Sequence, residues 1–175
     1  MISKYHYFKN ARAVGMKGWL GMNIVWDLIT NKVLVATAAS WFIAQVLKVI
    51  IDGCKNGFSA ERLTGGGGMP SSHSATVTGL VVYTAMVYGV GGFEFVMALF
   101  FGIIVIYDAA GVRMETGREA HVLNKLLERD REEGRASLYD GLLREKMGHT
   151  IPEILVGILL GGVIAVVVCK LLAGV

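Results

Sequence analysis

Two histidines, each beside groups that suit phosphate chemistry, are the residues of this sequence best placed to react. His73 ends the run Gly65-Gly66-Gly67-Gly68-Met69-Pro70-Ser71-Ser72-His73. Pro70 suits the first turn of a helix, so the N–H groups of Ser71, Ser72 and His73 are predicted to be unpaired donors at a helix N-terminus. Such a terminus binds anions, phosphate among them. The simpler alternative is a flexible loop followed by a capped helix.

The second histidine has a carboxylate one helical turn away. His149 and Glu153 are spaced i, i+4, where a long apolar segment begins. A carboxylate that orients a histidine fixes its tautomer and stabilises imidazolium, so His149 is predicted to be a phosphoryl-accepting nucleophile or a general base. His73 has no carboxylate in its local sequence, which makes it the predicted general acid for a leaving alkoxide.

Cations are needed to neutralise the phosphoryl oxygens. The predicted cations are Lys48, Arg62 and Arg113. Transfer in two steps through phosphohistidine needs no metal, so no metal and no other cofactor is expected. The two cysteines, Cys54 and Cys169, have neither the number for a disulfide framework nor the spacing of metal ligands.

The composition indicates a membrane setting for these residues. Of the 175 residues, 54% are hydrophobic and 18% are charged, and the mean hydropathy is +0.55. That is too apolar for a soluble domain of this length. The net charge is only +3, and no basic run is interleaved with aromatic residues, so nucleic acid is not an expected partner.

Four apolar segments are long enough to be considered as membrane spans. They are Asn31–Ile51, Ser71–Val90, Phe93–Ala110 and Ile151–Leu172. The sequence therefore predicts an all-α integral membrane bundle of about four helices. The ends of the first and third spans and the starts of the second and fourth then share one membrane face. That face is predicted to carry Lys48, Arg62, Ser71, Ser72, His73, Asp108, Arg113, His149 and Glu153.

The remaining segments complete the predicted organisation. Residues 1–30 combine cations with aromatic residues and are predicted to lie on the membrane surface, with a disordered tail as the alternative. Residues 31–175 form the transmembrane domain, in which residues 113–150 are an extramembrane helical hairpin broken at Gly134. Gly157 and Gly161 are spaced for close helix packing, within the chain or in a homo-oligomer. The expected location is a bacterial plasma membrane, and the basic N-terminus favours a cytoplasmic start with the site outside.

Four motifs together resemble the divergent phosphatidic acid phosphatase family, which is related to the type 2 phosphatidic acid phosphatases and the vanadium haloperoxidases. The motifs are Gly-Gly-Met-Pro-Ser-Ser-His-Ser-Ala (67–75), Asp-Ala-Ala-Gly-Val-Arg (108–113), Asn124-Lys125 and Gly-His-Thr (148–150). The resemblance covers about Asn31 to Gly162. It implies a helical membrane protein with a type 2 phosphatidic acid phosphatase-like core and a lipid substrate.

The resemblance also implies residue roles. His73 matches the general-acid histidine of a Pro-Ser-Gly-His motif, with Ser72 in place of glycine. His149 and Glu153 match a nucleophilic histidine and its carboxylate in His-x-x-x-Asp. Lys55 and Arg62 reproduce a Lys-x₆-Arg-Pro spacing without the proline, whereas Lys48 resembles the lysine at the end of the first span in the divergent family; both lysines stay candidates. Asp108, Arg113 and Asn124 are motif residues of the divergent branch and are assigned to the substrate site.

Three functional hypotheses follow. The first is an enzyme that hydrolyses a lipid phosphate or pyrophosphate through phosphohistidine. The second is a binding or transport protein that holds a phosphorylated lipid without cleaving it, which the departures from the superfamily motifs favour. The third is a metal-dependent phosphotransferase, suggested by Asp108-x-x-Gly111-x-Arg113.

Overall fold

The computed structural model describes residues 22–57, 67–135 and 139–173. Within these ranges the chain is helical and has no strand, so the all-α prediction is confirmed. The helices are α1 (Met22–Ile29), α2 (Lys32–Asn56), α3 (Ser72–Tyr88), α4 (Phe93–Tyr107), α5 (Arg113–Glu132) and α6 (Ile151–Ala173), with a π-helical turn (Asp108–Val112) between α4 and α5. Arg62 and most of the predicted surface segment, residues 1–21, lie outside the described residues.

Local sequence signals set the helix ends. The side chain of Asn31 caps α2 by accepting hydrogen bonds from the amides of Val33 (3.0 Å) and Leu34 (3.1 Å). Helix α3 ends at Gly89, whose φ of 77° suits glycine and whose N–H bonds to Ala85 O. Only residues 89–92 separate α3 from α4, so these two helices form an antiparallel hairpin.

Helix α3 is the centre of the bundle and packs against α2, α4 and α6. Small residues allow the close approach: a Cβ on Gly79 of α3 would lie 2.3 Å from the Ser40 hydroxyl of α2. Toward the other end of α3, the buried ring of Tyr83 packs between Ala36 of α2 and Ala165 of α6. Small residues inside the bundle thus allow α2, α3 and α6 to pack closely against one another.

Gly157 and Gly161 lie at the contact between α6 and α3, as predicted. A Cβ would lie 2.5 Å from Ser71 O at Gly157 and 2.1 Å from Ala75 O at Gly161. This face is therefore occupied by α3 of the same chain. The expected homo-oligomer through the Gly157 and Gly161 face stays a prediction.

Large apolar side chains point away from the bundle, as in proteins surrounded by lipid. Phe100, Ile104 and Leu159 are among those with more than half of their surface exposed. Helix α2, the continuous helix that starts at Phe93, and α6 are long and apolar enough to cross a membrane. Helix α3 has 17 residues, about 26 Å of helix against a hydrocarbon core of about 30 Å. The protein is a multi-pass integral membrane protein, and the predicted number of four spans is approximate.

The third predicted span does not end at Ala110. Helix α4, the π-helical turn and α5 form one continuous helix of 40 residues, Phe93–Glu132. At 1.5 Å per residue its length is about 60 Å, roughly twice the hydrocarbon thickness. Helix α5 therefore extends beyond the membrane on the side where α3 and α6 begin.

The chain returns from α5 to α6 without forming a second helix. Gly134, with φ of 68°, follows the end of α5 as predicted, but residues 139–150, which we call the return segment, are not helical. The prediction of a helical hairpin is therefore wrong for its second arm. The physical reason is that backbone groups of Leu143 and His149 bond to α5 and the π-helical turn, through Asn124 and Ala109. The bond from the Met147 N–H to Glu145 O spans too few residues for a helix.

Candidate active site

His73 and His149 meet at the membrane face where α3 and α6 begin. Nδ1 of His73 lies 3.4 Å from Nε2 of His149, and the rings are edge to face with centroids 5.6 Å apart. His149 is buried, with 3% of its surface exposed, whereas His73 is exposed. The prediction that the two histidines converge at one face is confirmed.

Glu153 orients His149. Its Oε2 lies 3.2 Å from Nδ1 of His149 and also accepts the Thr150 N–H at 3.1 Å. Thr150 O accepts the Ile154 amide, so Thr150 and Glu153 occupy the N-cap and N3 positions of a capping box. An ionised carboxylate only accepts hydrogen bonds, so Nδ1 of His149 carries the proton and Nε2 carries the lone pair. That lone pair faces His73 and the cavity.

The π-helical turn fixes the backbone of His149. The amide of Arg113 bonds to Asp108 O, one residue further back than an α-helix would place it. Ala109 O instead accepts the His149 N–H at 2.9 Å. Gly148 makes this approach possible, because it has a φ of 78° and a Cβ there would lie 2.7 Å from the Met114 amide nitrogen. The motif at 108–113 thus positions His149.

Burial keeps His149 neutral. His149 precedes the first residue of α6, at the membrane boundary, and desolvation lowers its pKa below the ordinary value. The hydrogen bond to Glu153 opposes this effect by favouring the charged form, but the net pKa is still lowered. A neutral imidazole near pH 7 is the form that can act as a nucleophile.

The start of α3 differs from the prediction at one residue. Ser71, fully buried, caps α3 with its hydroxyl, which accepts from the Ser74 amide at 3.3 Å. Its own N–H donates to Glu153 O at 3.0 Å, so the expectation that the Ser71 amide is an unpaired donor is wrong. The amides of Ser72 and His73 have no partner within the described parts of the chain, and both residues line the cavity.

A cavity of about 580 Å³ opens beside the histidine pair. Its cationic lining comes from Lys48, Arg113 and Arg144. Lys48 is 6% exposed, and its stem packs against Gly68, whose Cβ would lie 3.3 Å from Lys48 Cε. Lys55 lies exposed in the last turn of α2, so the structure places Lys48 and not Lys55 at this cavity.

A sequence profile described as the divergent PAP2 family matches residues 29–164. The chain belongs to the divergent PAP2 family. It is also 39% identical over 107 residues to the "Uncharacterized membrane protein YuiD" of Bacillus subtilis (strain 168), an alignment that covers 58% of this chain and 65% of the relative. No solved structure matches the chain significantly. Membership relates this protein to the PAP2-type phosphatases.

Two motif residues of this divergent PAP2 protein, Asp108 and Asn124, bond to other residues of the chain and do not line the cavity. Asp108 binds the Nε of Arg113 at 2.5 Å, and Arg113 itself lines the cavity. Asn124 lies on α5 and bonds to the return segment. Neither is among the residues that line the cavity, and in the described ranges no three His, Cys, Asp or Glu side chains converge as a metal site.

The cavity is also lined by residues that are not among the predicted site residues. Arg144 lies five residues before His149 in the return segment, and only the path of that segment brings it to the cavity. On α2, Trp41 and Gln45 precede Lys48 by seven and three residues. That spacing puts them on the same helix face, and helical periodicity alone could have indicated them. Phe101 and Val105 form the wall on α4.

Proposed function

We propose that this divergent PAP2 family member hydrolyses a lipid phosphate or pyrophosphate through a phosphohistidine intermediate. The observation that carries the proposal is the histidine pair: Nε2 of buried His149 faces Nδ1 of His73 at 3.4 Å while Glu153 holds the opposite nitrogen. The three cations of the same cavity supply the charge that a phosphoryl group needs.

The reaction has two steps. In the first, Nε2 of His149 attacks phosphorus, the bond between phosphorus and the leaving oxygen breaks, and protonated His73 gives its proton to that oxygen. In the second, neutral His73 takes a proton from water while the water oxygen attacks phosphorus and the bond between phosphorus and Nε2 of His149 breaks. Inorganic phosphate leaves, and both histidines return to their starting states.

The amides at the start of α3 and the cavity cations stabilise the transferring group. The N–H groups of Ser72 and His73 are directed along the helix axis toward the anion, as at other helix N-termini. Lys48, Arg113 and Arg144 surround the remaining oxygens. Donors fixed before the reaction stabilise developing charge without reorganising, which is the main way in which such sites lower a barrier.

The apolar part of the cavity supports a lipid as the substrate. Trp41 on α2 and Phe101 on α4 line it, and their side chains are also exposed, by 50% and 55%. Both belong to helices that cross the membrane, so the wall of the cavity is continuous with the surface that contacts lipid. A phosphate at the histidines then leaves room for its hydrocarbon chain beside these two rings.

One observation favours a second candidate, a protein that binds a phosphorylated lipid without cleaving it. The contact between the two histidines occupies Nε2 of His149, the atom that has to attack. Catalysis therefore requires the exposed His73 ring to turn away so that a phosphoryl group fits between the nitrogens. Binding alone requires no such movement.

Phosphate release from a panel of lipid monophosphates and pyrophosphates tests the proposal. The purified full chain is assayed in lipid nanodiscs with and without EDTA, beside His149→Ala and the matched surface variant Glu128→Ala. We expect turnover that EDTA does not change, loss of turnover in His149→Ala, and normal turnover in Glu128→Ala. Binding of lipid phosphates without any release of phosphate would contradict the enzyme and support the binding protein; release abolished by EDTA would favour the metal-dependent transferase.

A further inference from the structure

Asn124 ties the return segment to α5 with both ends of its amide. Its Oδ1 accepts the Leu143 N–H at 2.8 Å, and its Nδ2 donates to Leu143 O at 2.8 Å and to Oε1 of Glu145 at 2.7 Å. In a β-sheet, a neighbouring strand would bond to the N–H and C=O of such a non-helical residue. Here the side-chain amide of Asn124 takes that role for Leu143. Asn124 is 6% exposed, whereas the Glu145 side chain that it contacts is 44% exposed.

Glu145 is held from a second side. Its Oε2 lies 2.7 Å from Nδ1 of His121, one helical turn before Asn124. The hydrogen bond from Asn124 and then that from His121 lower the pKa of the Glu145 carboxyl, so it is ionised at neutral pH. Gly117 lets the segment lie against α5, because a Cβ there would be 2.4 Å from Glu145 O. We call Asn124, His121, Glu145 and the backbone of Leu143 the clasp.

The clasp lies on both sides of Arg144 in the chain. Leu143 and Glu145 bond to α5, whereas Arg144 between them lines the cavity. Five residues later the His149 N–H is fixed on Ala109 O. The part of the return segment that carries cavity residues is thus tied at both ends, by the clasp at one and by the π-helical turn at the other.

We propose that Asn124 is a positioning residue that, through the clasp, holds Arg144 at the phosphate end of the cavity. This inference rests on the proposed function, since it assigns Arg144 to the phosphate of the substrate. Asn124 does not line the cavity and contacts no substrate; it acts by fixing the backbone on either side of Arg144. Its loss therefore weakens anion binding in the same way as the loss of Arg144 itself.

Paired variants of the full chain in nanodiscs test this coupling. Asn124→Ala, Arg144→Ala and the double variant are compared in KM for a lipid phosphate and in Kd for vanadate. Each single variant is expected to raise both constants by about tenfold or more, the range of one lost hydrogen bond to a charged group. The double variant should match Arg144→Ala, because residues that act through one another are not additive. The maximal rate at saturating substrate should change less than KM, and Glu128→Ala on the exposed part of α5 should change nothing.

A charge-swapped pair separates positioning from a loss of folding. Asn124→Asp removes the donor and sets two carboxylates together, and Glu145→Gln alone weakens the bond to His121. Combined, they place an amide donor at 145 opposite a carboxylate at 124. We expect each single variant to weaken vanadate binding, and the combination to recover at least half of the loss on a logarithmic scale. Thermal unfolding and hydrogen exchange of residues 139–150 are measured on every variant.

The outcomes distinguish failure of the inference from failure of the proposed function. If wild-type protein binds vanadate but releases no phosphate, the function fails, and the vanadate Kd values still decide the role of Asn124. A folded Asn124→Ala with a wild-type Kd and KM, full additivity with Arg144→Ala, or no recovery in the charge-swapped pair would each overturn the inference. Absence of vanadate binding by the wild type would overturn both.

Discussion

At the scale of single residues, Glu153 connects more of the site than any sequence motif indicates. Its carboxylate accepts from His149 and from the Thr150 amide, and its carbonyl accepts the Ser71 N–H. The residue thus orients His149, caps the start of α6 and joins α6 to the start of α3. The backbone bond to Ser71 is independent of the side chain, so a change of charge at Glu153 can be separated from a change of fold.

Glu153→Gln is therefore expected to lower kcat/KM by about a hundredfold or more while the protein stays folded. Glutamine still suits the N3 position of a capping box, so α6 should keep its start. The loss comes from the missing charge that stabilises imidazolium. Glu128→Gln, an exposed change of the same kind on α5, is the control. Equal rates for the two variants would contradict the role of Glu153.

The pKa of His149 predicts the direction in which the pH profile of kcat/KM should shift when Glu153 is replaced. In the proposed reaction His149 attacks in its neutral form. Burial lowers its pKa below the ordinary value of about 6.5, so the acid limb of the kcat/KM profile should lie below that pH. Glu153 raises the pKa of His149; its replacement by glutamine should move the acid limb to still lower pH. Because the folded pKa is below the unfolded one, His149 should also cost stability as the pH drops below about 6.5. A shift of the acid limb toward higher pH would be the opposite result.

At the scale of elements, the π-helical turn and the return segment build the part of the site that faces α5. An extra residue in the turn frees Ala109 O, and Gly148 brings the His149 amide to it. π-Helical turns inside longer helices are often found at functional sites, where they re-aim the residues beside them. Here the π-helical turn lets the long helix Phe93–Glu132 bond to the return segment, which lies outside the membrane.

Gly148→Ala tests this arrangement. The added Cβ would have to lie 2.7 Å from the Met114 nitrogen at a φ of 78°, so the segment must shift and His149 with it. We expect a loss of at least tenfold in kcat/KM, since misplacement of a reacting group by about 1 Å can cost a hundredfold. Gly53→Ala in α2 is the matched control, because a Cβ there meets nothing within 4 Å. Normal kinetics of Gly148→Ala would contradict the role of the π-helical turn.

Sequence reasoning reached the histidines, Glu153, Lys48 and the helical bundle because these follow from hydropathy, i, i+4 spacing and local motifs. It did not reach the path of residues 139–150, because nothing local marks a segment whose backbone bonds lie on another helix. For the same reason it assigned Asn124 to the substrate, while the structure places it against Leu143 and Glu145. Arg144 was missed because its position depends on that path.

At the scale of the whole molecule, a bundle packed through small residues holds His73 and His149 close to each other. His73 begins α3 and His149 precedes α6, and α3 and α6 are in contact along Gly157 and Gly161. Any change in the separation of these two helices changes the distance between the histidines. Helix packing in a membrane gains its stability from such close contacts and not from a hydrophobic drive between helices.

Gly161→Ala should therefore destabilise the fold, and Gly162→Ala should not. A Cβ at Gly161 would lie 2.1 Å from Ala75 O, whereas at Gly162 the nearest atom is a methyl of Thr78 at 3.9 Å. Overpacking of this kind costs about 1–3 kcal/mol. Thermal unfolding in detergent compares the two variants, and size-exclusion chromatography should show the same oligomeric state for both. Equal stability would contradict the packing of α3 on α6, and a change of oligomeric state confined to Gly161→Ala would support this face as a subunit contact.

The measurement that tests the central claim most directly is capture of the phosphoenzyme. Purified protein is mixed with an active lipid phosphate, quenched in alkali within milliseconds, and mapped by mass spectrometry, since phosphohistidine is labile to acid. We predict one phosphoryl group on His149, none in His149→Ala, and a retained phosphoenzyme in His73→Ala when the substrate has a good leaving group, which needs no proton. A phosphoryl group on His73, or full turnover by His149→Ala, would contradict the account.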